Sequence, residues 1–156
     1  MQKISIDLRT LQLSVGRGMG RYVENLLTHM VPMAPPKSLL LLYDPKIRTW
    51  PFQVFNGNLS LTPFTKFPPR VGHRAHPFLR YFDKSSVERF PTQVVHFTGQ
   101  EVLPPTFGSK TAIVTIHDII PFAMRKHHFN DLLGPLTYAL DMKHFRKIFR
   151  TATKLI

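Results

Sequence analysis

The feature that most constrains this chain is a glycine triplet, Gly16-Arg-Gly-Met-Gly20, set between a strand pattern and a helix pattern. Ile4, Ile6 and Leu8 alternate with polar residues, which predicts a first strand. Beyond the glycines, Val23, Leu26, Leu27 and Met30 recur at the spacing of a single apolar helix stripe. Pro32, Pro35 and Pro36 are expected to stop that helix, and residues 38–43 then read as a buried strand. The result is a strand, glycine turn, helix, strand unit.

At 156 residues the chain has the length of one domain, and 43% hydrophobic against 19% charged residues is too apolar for a disordered segment. Residues 59–62, 93–97 and 110–116 add short β-like runs, and Thr153-Lys-Leu-Ile156 begins another. Strands alternating with helices predict an α/β fold, Rossmann-like, with a mainly parallel sheet and helices on both faces. Residues 44–91 are the irregular part, because seven of the fourteen prolines fall there, and loops and short helices are expected. Gly134-Pro135 opens a last helix with proline in its first turn. Leu136, Leu140, Phe145, Ile148 and Phe149 supply its expected apolar side. Lys143, Arg146, Lys147 and Arg150 share another face, where cations complement the helix dipole.

The charge balance is lopsided. With 21 Lys and Arg against 9 Asp and Glu the net charge is +12, so phosphates, nucleic acid and anionic membrane surfaces are the partner classes to weigh. The absence of Cys excludes disulfides, thiolate zinc sites and a Cys nucleophile. No metal is expected, since His73, His76, His127 and His128 have no Cys or carboxylate quartet nearby. The amino terminus has no apolar signal-peptide core, and the longest aliphatic run, residues 39–42, is far too short to span a bilayer. These features read as a cytoplasmic chain, or one peripheral at the inner membrane face.

Glycines at a strand-to-helix turn let backbone N–H groups and the helix amino terminus face an anion, and Arg17 and Arg21 add charge there. Glycines also serve tight turns and close helix packing. The pattern is G-x-G-x-G rather than the dinucleotide G-x-G-x-x-G, and no P-loop Lys-Ser/Thr follows, which disfavours NAD or ATP. His96 and His117 stand where strands should end, and open parallel sheets bind ligands beyond those ends. Asp7, Arg9, Gly16, His96, His117 and Asp118 are therefore expected to converge on one edge. Each of them alone can also serve as a cap on backbone groups. Residues 64–82 hold Lys66, Arg70, Arg74 and Arg80, five aromatics and no acid. That composition suits a membrane or acceptor surface, and equally a part-buried loop with a solvated rim.

Taken in order, Ile4-Ser-Ile-Asp-Leu-Arg9, Gly16-Arg-Gly-Met-Gly-Arg-Tyr22, Val94-Val-His-Phe97, Thr115-Ile-His-Asp-Ile-Ile-Pro121 and Ala152-Thr-Lys-Leu-Ile156 resemble the amino-terminal domain of glycosyltransferase family 4. The motifs span essentially the whole chain, and the Thr115 to Pro121 stretch is the most specific. The resemblance implies a GT-B architecture, two Rossmann-like domains across a cleft, with retaining, metal-independent transfer of a hexose from a sugar nucleotide. It implies that residues 1–156 are the acceptor-side lobe, facing a lipid-linked or saccharide acceptor. Gly16, Arg17, Gly18 and Gly20 match the loop that approaches the donor diphosphate, and His117 matches the histidine that contacts the donor sugar. Asp118 shapes that loop, and Asp7, Arg9 and His96 are candidates for the cleft wall. The carboxyl-terminal donor-binding domain and its Glu-x7-Glu motif are absent from the sequence, since Glu24, Glu88 and Glu101 are too far apart for any pair to fit. The isolated chain is therefore expected to be inactive without that domain or a partner chain that carries it.

A second function class is a non-enzymatic basic module that binds nucleic acid or anionic membrane, motivated by the net charge of +12 and by the aromatic interleaving of residues 64–82. Against nucleic acid, the basic residues run from Lys3 to Lys154 without one dense block, and no helix-turn-helix, RRM or zinc pattern is visible.

Overall fold

A computed structural model describes residues 3–45, 47, 60–63, 87–100, 107–117, 123 and 134–156. Strand β1 (Ile4–Asp7) leads into a short helix α1 (Arg9–Leu13) and then, after the glycine turn, α2 (Gly18–Met33). Strands β2 (Leu39–Tyr43), β3 (Ser60–Pro63), β4 (Val94–Phe97) and β5 (Thr111–Val114) follow, with a 3-10 turn at Val87–Arg89 before β4. Helix α3 (Gly134–Thr151) and strand β6 (Lys154–Leu155) end the chain.

The strands form one sheet in the order β3-β2-β1-β4-β5-β6. Every pairing is parallel, so the expected mainly parallel sheet is parallel throughout. Parallel strands need helical crossovers that cover both faces, which explains why β2 is apolar from Leu39 to Leu42 without alternation and is buried along that run. On one face Val23 and Leu27 of α2 and Leu11 of α1 pack against Ile6, Leu39 and Leu41. On the other, Ile148 of α3 joins Leu40, Leu42, Val95, Phe97, Ala112 and Val114. Alternating side chains along β2 thus feed two separate cores, as a sheet buried on both sides requires.

Two expectations about helices are corrected. Pro32 does not stop α2: it lies in the last turn, where a proline removes one amide donor yet keeps a helical φ. The stop comes from Pro35, which forces the preceding Ala34 out of the helical region, to φ −80 and ψ 136. In α3 the expected apolar side is rotated. Phe145 and Ile148 are buried, but Leu136 and Phe149 are 50% and 47% exposed, and His144 takes an inward position. Helix α1 lies where the sequence shows only a short mixed stretch. It is pinned by Gln12, whose side-chain amide donates to the Asp44 carbonyl at 3.1 Å and accepts from the Asp44 N–H at 2.8 Å. Most of the irregular stretch 44–91 lies outside the described residues, apart from β3, the 3-10 turn and a few flanking residues.

Candidate site at the carboxyl edge of the sheet

The strand order reverses between β1 and β4, since the chain builds outward from β1 to β3 and then returns to β4 on the other side. In an open parallel sheet the crevice beyond the carboxyl ends of those two strands is the place where ligands bind. Asp7 and Phe97 are paired at those ends, and the next residue, Thr98, closes the gap by donating its hydroxyl to the Asp7 carbonyl at 2.6 Å.

His117 lies three residues past β5 and is half-buried. Its backbone N–H donates to the Gln100 side-chain oxygen at 3.0 Å. Its Nε2 lies 2.6 Å from the Thr98 carbonyl, and because a carbonyl only accepts, Nε2 carries the proton. In the neutral ring Nδ1 is then the acceptor. The ring also meets Tyr22 edge to face, with centroids 5.0 Å apart. Tyr22 belongs to α2, four residues and about 6 Å of rise beyond Gly18, so the contact ties the glycine-turn helix to the end of β5.

A second set of contacts lies beneath it. The Tyr22 hydroxyl is 3.2 Å from the Thr115 hydroxyl, which is 2.9 Å from His96 Nε2. His96, Thr115 and His117 share this side because His96 pairs with Ile113 and alternate residues face the same way. His96 is buried, and that burial holds its pKa below the usual 6.5 against an opposing pull from the Asp7 carboxylate. His96 therefore belongs to the packed interior under the edge.

Asp7 and Arg9, expected in the cleft wall, engage each other. The Arg9 guanidinium reaches both carboxylate oxygens, with Nη2 to Oδ2 at 2.5 Å, and the Arg9 N–H donates to Oδ1 at 3.0 Å. The Asp7 side chain is fully buried in this pair, so it braces the start of α1.

The three glycines do three different things. Gly16 sits in a turn closed by the Arg17 N–H on the Ser14 carbonyl at 3.0 Å, and its φ of 71 is the left-handed value such a turn needs. Gly20 faces the Ser14 carbonyl so closely that any Cβ there would collide with backbone. Gly18 has neither constraint, since a Cβ there would meet nothing within 4 Å. Arg17 is the α2 N-cap, its side chain makes no capping bond, and the first turn has no acid. The amides of Gly18, Met19 and Gly20 precede the first helical bond, from Arg21 N–H to Arg17 O at 2.8 Å, so this helix end keeps its positive potential.

The sheet edge thus gathers Gly16, Arg17, Gly18, Gly20 and His117, with His96 one layer down and Asp7 and Arg9 paired at the base. Asp118, Lys66, Arg70, Arg74 and Arg80 lie outside the described residues. Tyr22, Thr98, Gln100 and Thr115 were not singled out from the sequence. Thr115 carried one usable signal, because two residues before His117 on an extended chain is the same side. No group of three metal-ligating side chains occurs among the described residues. What the fold and this edge define is an open, parallel, Rossmann-like α/β domain with a half-buried histidine packed on Tyr22, one turn into a helix whose amino end is positively polarised. Searches against known protein families, characterised proteins and solved structures found no match.

Proposed function

We propose that this chain is the acceptor-side lobe of a retaining, sugar-nucleotide-dependent glycosyltransferase that transfers a hexosyl group to a lipid-linked or polysaccharide acceptor. The observation that carries the reading is His117, held at the strand edge by Thr98 and Tyr22 beside the open end of α2. The family resemblance in the sequence supplies the reaction class.

In this reading the donor diphosphate lies against the α2 amino terminus. As the bond from sugar to diphosphate breaks, negative charge grows on the leaving phosphate, and the first-turn amides with the Arg17 guanidinium stabilise it without a metal. His117 Nδ1 accepts a hydrogen bond from a sugar hydroxyl, and the bond to Thr98 fixes the ring so that this acceptor is in place before the donor arrives. The nucleotide and the remaining phosphate contacts fall to a second lobe, carried by further sequence or by a partner chain.

The test is complementation with a donor-binding lobe of this enzyme class. The chain alone should show no transfer, and the pair should. Within the active pair, His117→Ala should lower kcat by roughly 10²-fold, the usual size of losing one well-placed polar contact at a reacting centre. Turnover by the chain alone, or full activity of the pair with Ala at position 117, would overturn the proposal.

A further inference from the structure

We propose that the outer face of α3 docks on an anionic membrane surface. Lys143, Arg146, Lys147 and Arg150 stand at i, i+3, i+4 and i+7 and form one stripe along two turns. All four are exposed, and none forms an ion pair among the described residues. The exposed α3 positions include no acid, and the helix's one carboxylate, Asp141, is half-buried.

Helix stability does not account for this arrangement. Lys143 with Lys147 and Arg146 with Arg150 are like-charge i, i+4 pairs, which weaken a helix. Compensation of the helix dipole is confined to the last turn, and there Arg150 is the basic residue. Lys143 lies two turns earlier. Like charges gathered at a cost to their own helix are explained by an anionic partner that pairs with them.

The apolar residues on the exposed side select the kind of partner. Phe149 flanks the stripe one turn beyond Arg146, with 47% of its surface exposed, although its ring also leans on Phe145 at 6.1 Å between centroids. Leu136, 50% exposed, lies seven and eleven residues before Lys143 and Lys147 and so shares their stripe. Cations flanked by half-exposed apolar side chains match the boundary between headgroups and acyl chains, where phosphates meet the cations and rings enter the hydrocarbon edge. A purely phosphate-lined partner such as duplex nucleic acid leaves Phe149 and Leu136 unused. No helix among the described residues is long and apolar enough to cross a membrane.

The docking face also has a defined relation to the candidate site. Because β5 and β6 are parallel, α3 runs back against the strand direction, and its amino end with Leu136 lies towards the carboxyl edge that carries His117. A bilayer on this face brings amphiphilic molecules to that edge. The docking does not depend on the transferase reading and is tested without it.

The experiment is co-sedimentation of the chain with vesicles of phosphatidylcholine alone and with 30 mol% phosphatidylglycerol, at two salt concentrations. Each cation close to an anionic leaflet contributes about fivefold to partitioning. Wild type should bind the anionic vesicles selectively and lose binding at high salt. The triple variant Arg146→Gln, Lys147→Gln, Arg150→Gln should bind roughly 100-fold more weakly. Phe149→Ser should bind several-fold more weakly, and Arg146→Lys with Arg150→Lys should bind like wild type. Removing the same charge elsewhere, by Lys3→Gln, Arg21→Gln and Lys37→Gln, should cost less than about fivefold, because those residues lie off the stripe. Circular dichroism checks that each variant is folded. Equal losses from the two triple variants, or equal binding to neutral vesicles, would overturn the proposal. So would tight, stripe-dependent binding to a DNA duplex without vesicle binding.

Discussion

Two histidines near strand ends have different surroundings. His96 is buried beside Thr115, and burial lowers its pKa from 6.5 while Asp7 pulls the other way. The unfolded chain then binds a proton on this residue more readily than the folded chain does. Stability from this group is full above about pH 6.5 and is lost as pH falls from there towards the lower folded value. We expect His96→Gln to flatten the pH dependence of urea unfolding in that acid window, and a curve unchanged from wild type would rule this out. His117 is different, because its ring proton is committed to the Thr98 carbonyl at 2.6 Å and its other nitrogen can serve a ligand. The sequence placed both histidines at strand ends. It did not separate interior from edge, because that depends on how far each strand runs beneath α2: β4 ends one residue after His96, whereas β5 ends three before His117.

At the scale of the element, the glycine turn shows that three identical residues are held by different physics. Gly20→Ala should destabilise the chain by about 1–3 kcal/mol, because its new methyl meets the Ser14 backbone and neither partner can rotate away. Gly18→Ala, in open space at the helix start, should be neutral or stabilising by up to about 1 kcal/mol. Urea midpoints measure both, and equal effects would refute the assignment. A glycine with no structural requirement at an uncapped helix end is the position a ligand backbone or phosphate can approach. α3 teaches the complementary lesson. Its hydrophobic residues were legible, but the inward face is set by docking on the sheet through Phe145 and Ile148. That rotation leaves Leu136 and Phe149 outside, beside the cations.

For the whole molecule, the parallel sheet arranges stability from the centre outward. β1 and β4 are paired on both sides, whereas β3 and β6 are edge strands, and β6 has two residues. Amide exchange should be slowest in β1 and β4 and fastest in β6, and the reverse order would contradict the topology. The strand, glycine turn and helix pattern by itself determined the fold class, because long apolar crossovers between short strands leave a parallel sheet as the way to satisfy the backbone. It also determined the strand-end positions of His96 and His117. Only the tertiary structure decided the strand order, and with it the switch point between β1 and β4, since pairing partners are distant in sequence. The same holds for Tyr22 against His117, and for the outward turn of the basic α3 stripe. Each of these depends on which surfaces pack together, and local propensity carries no record of that.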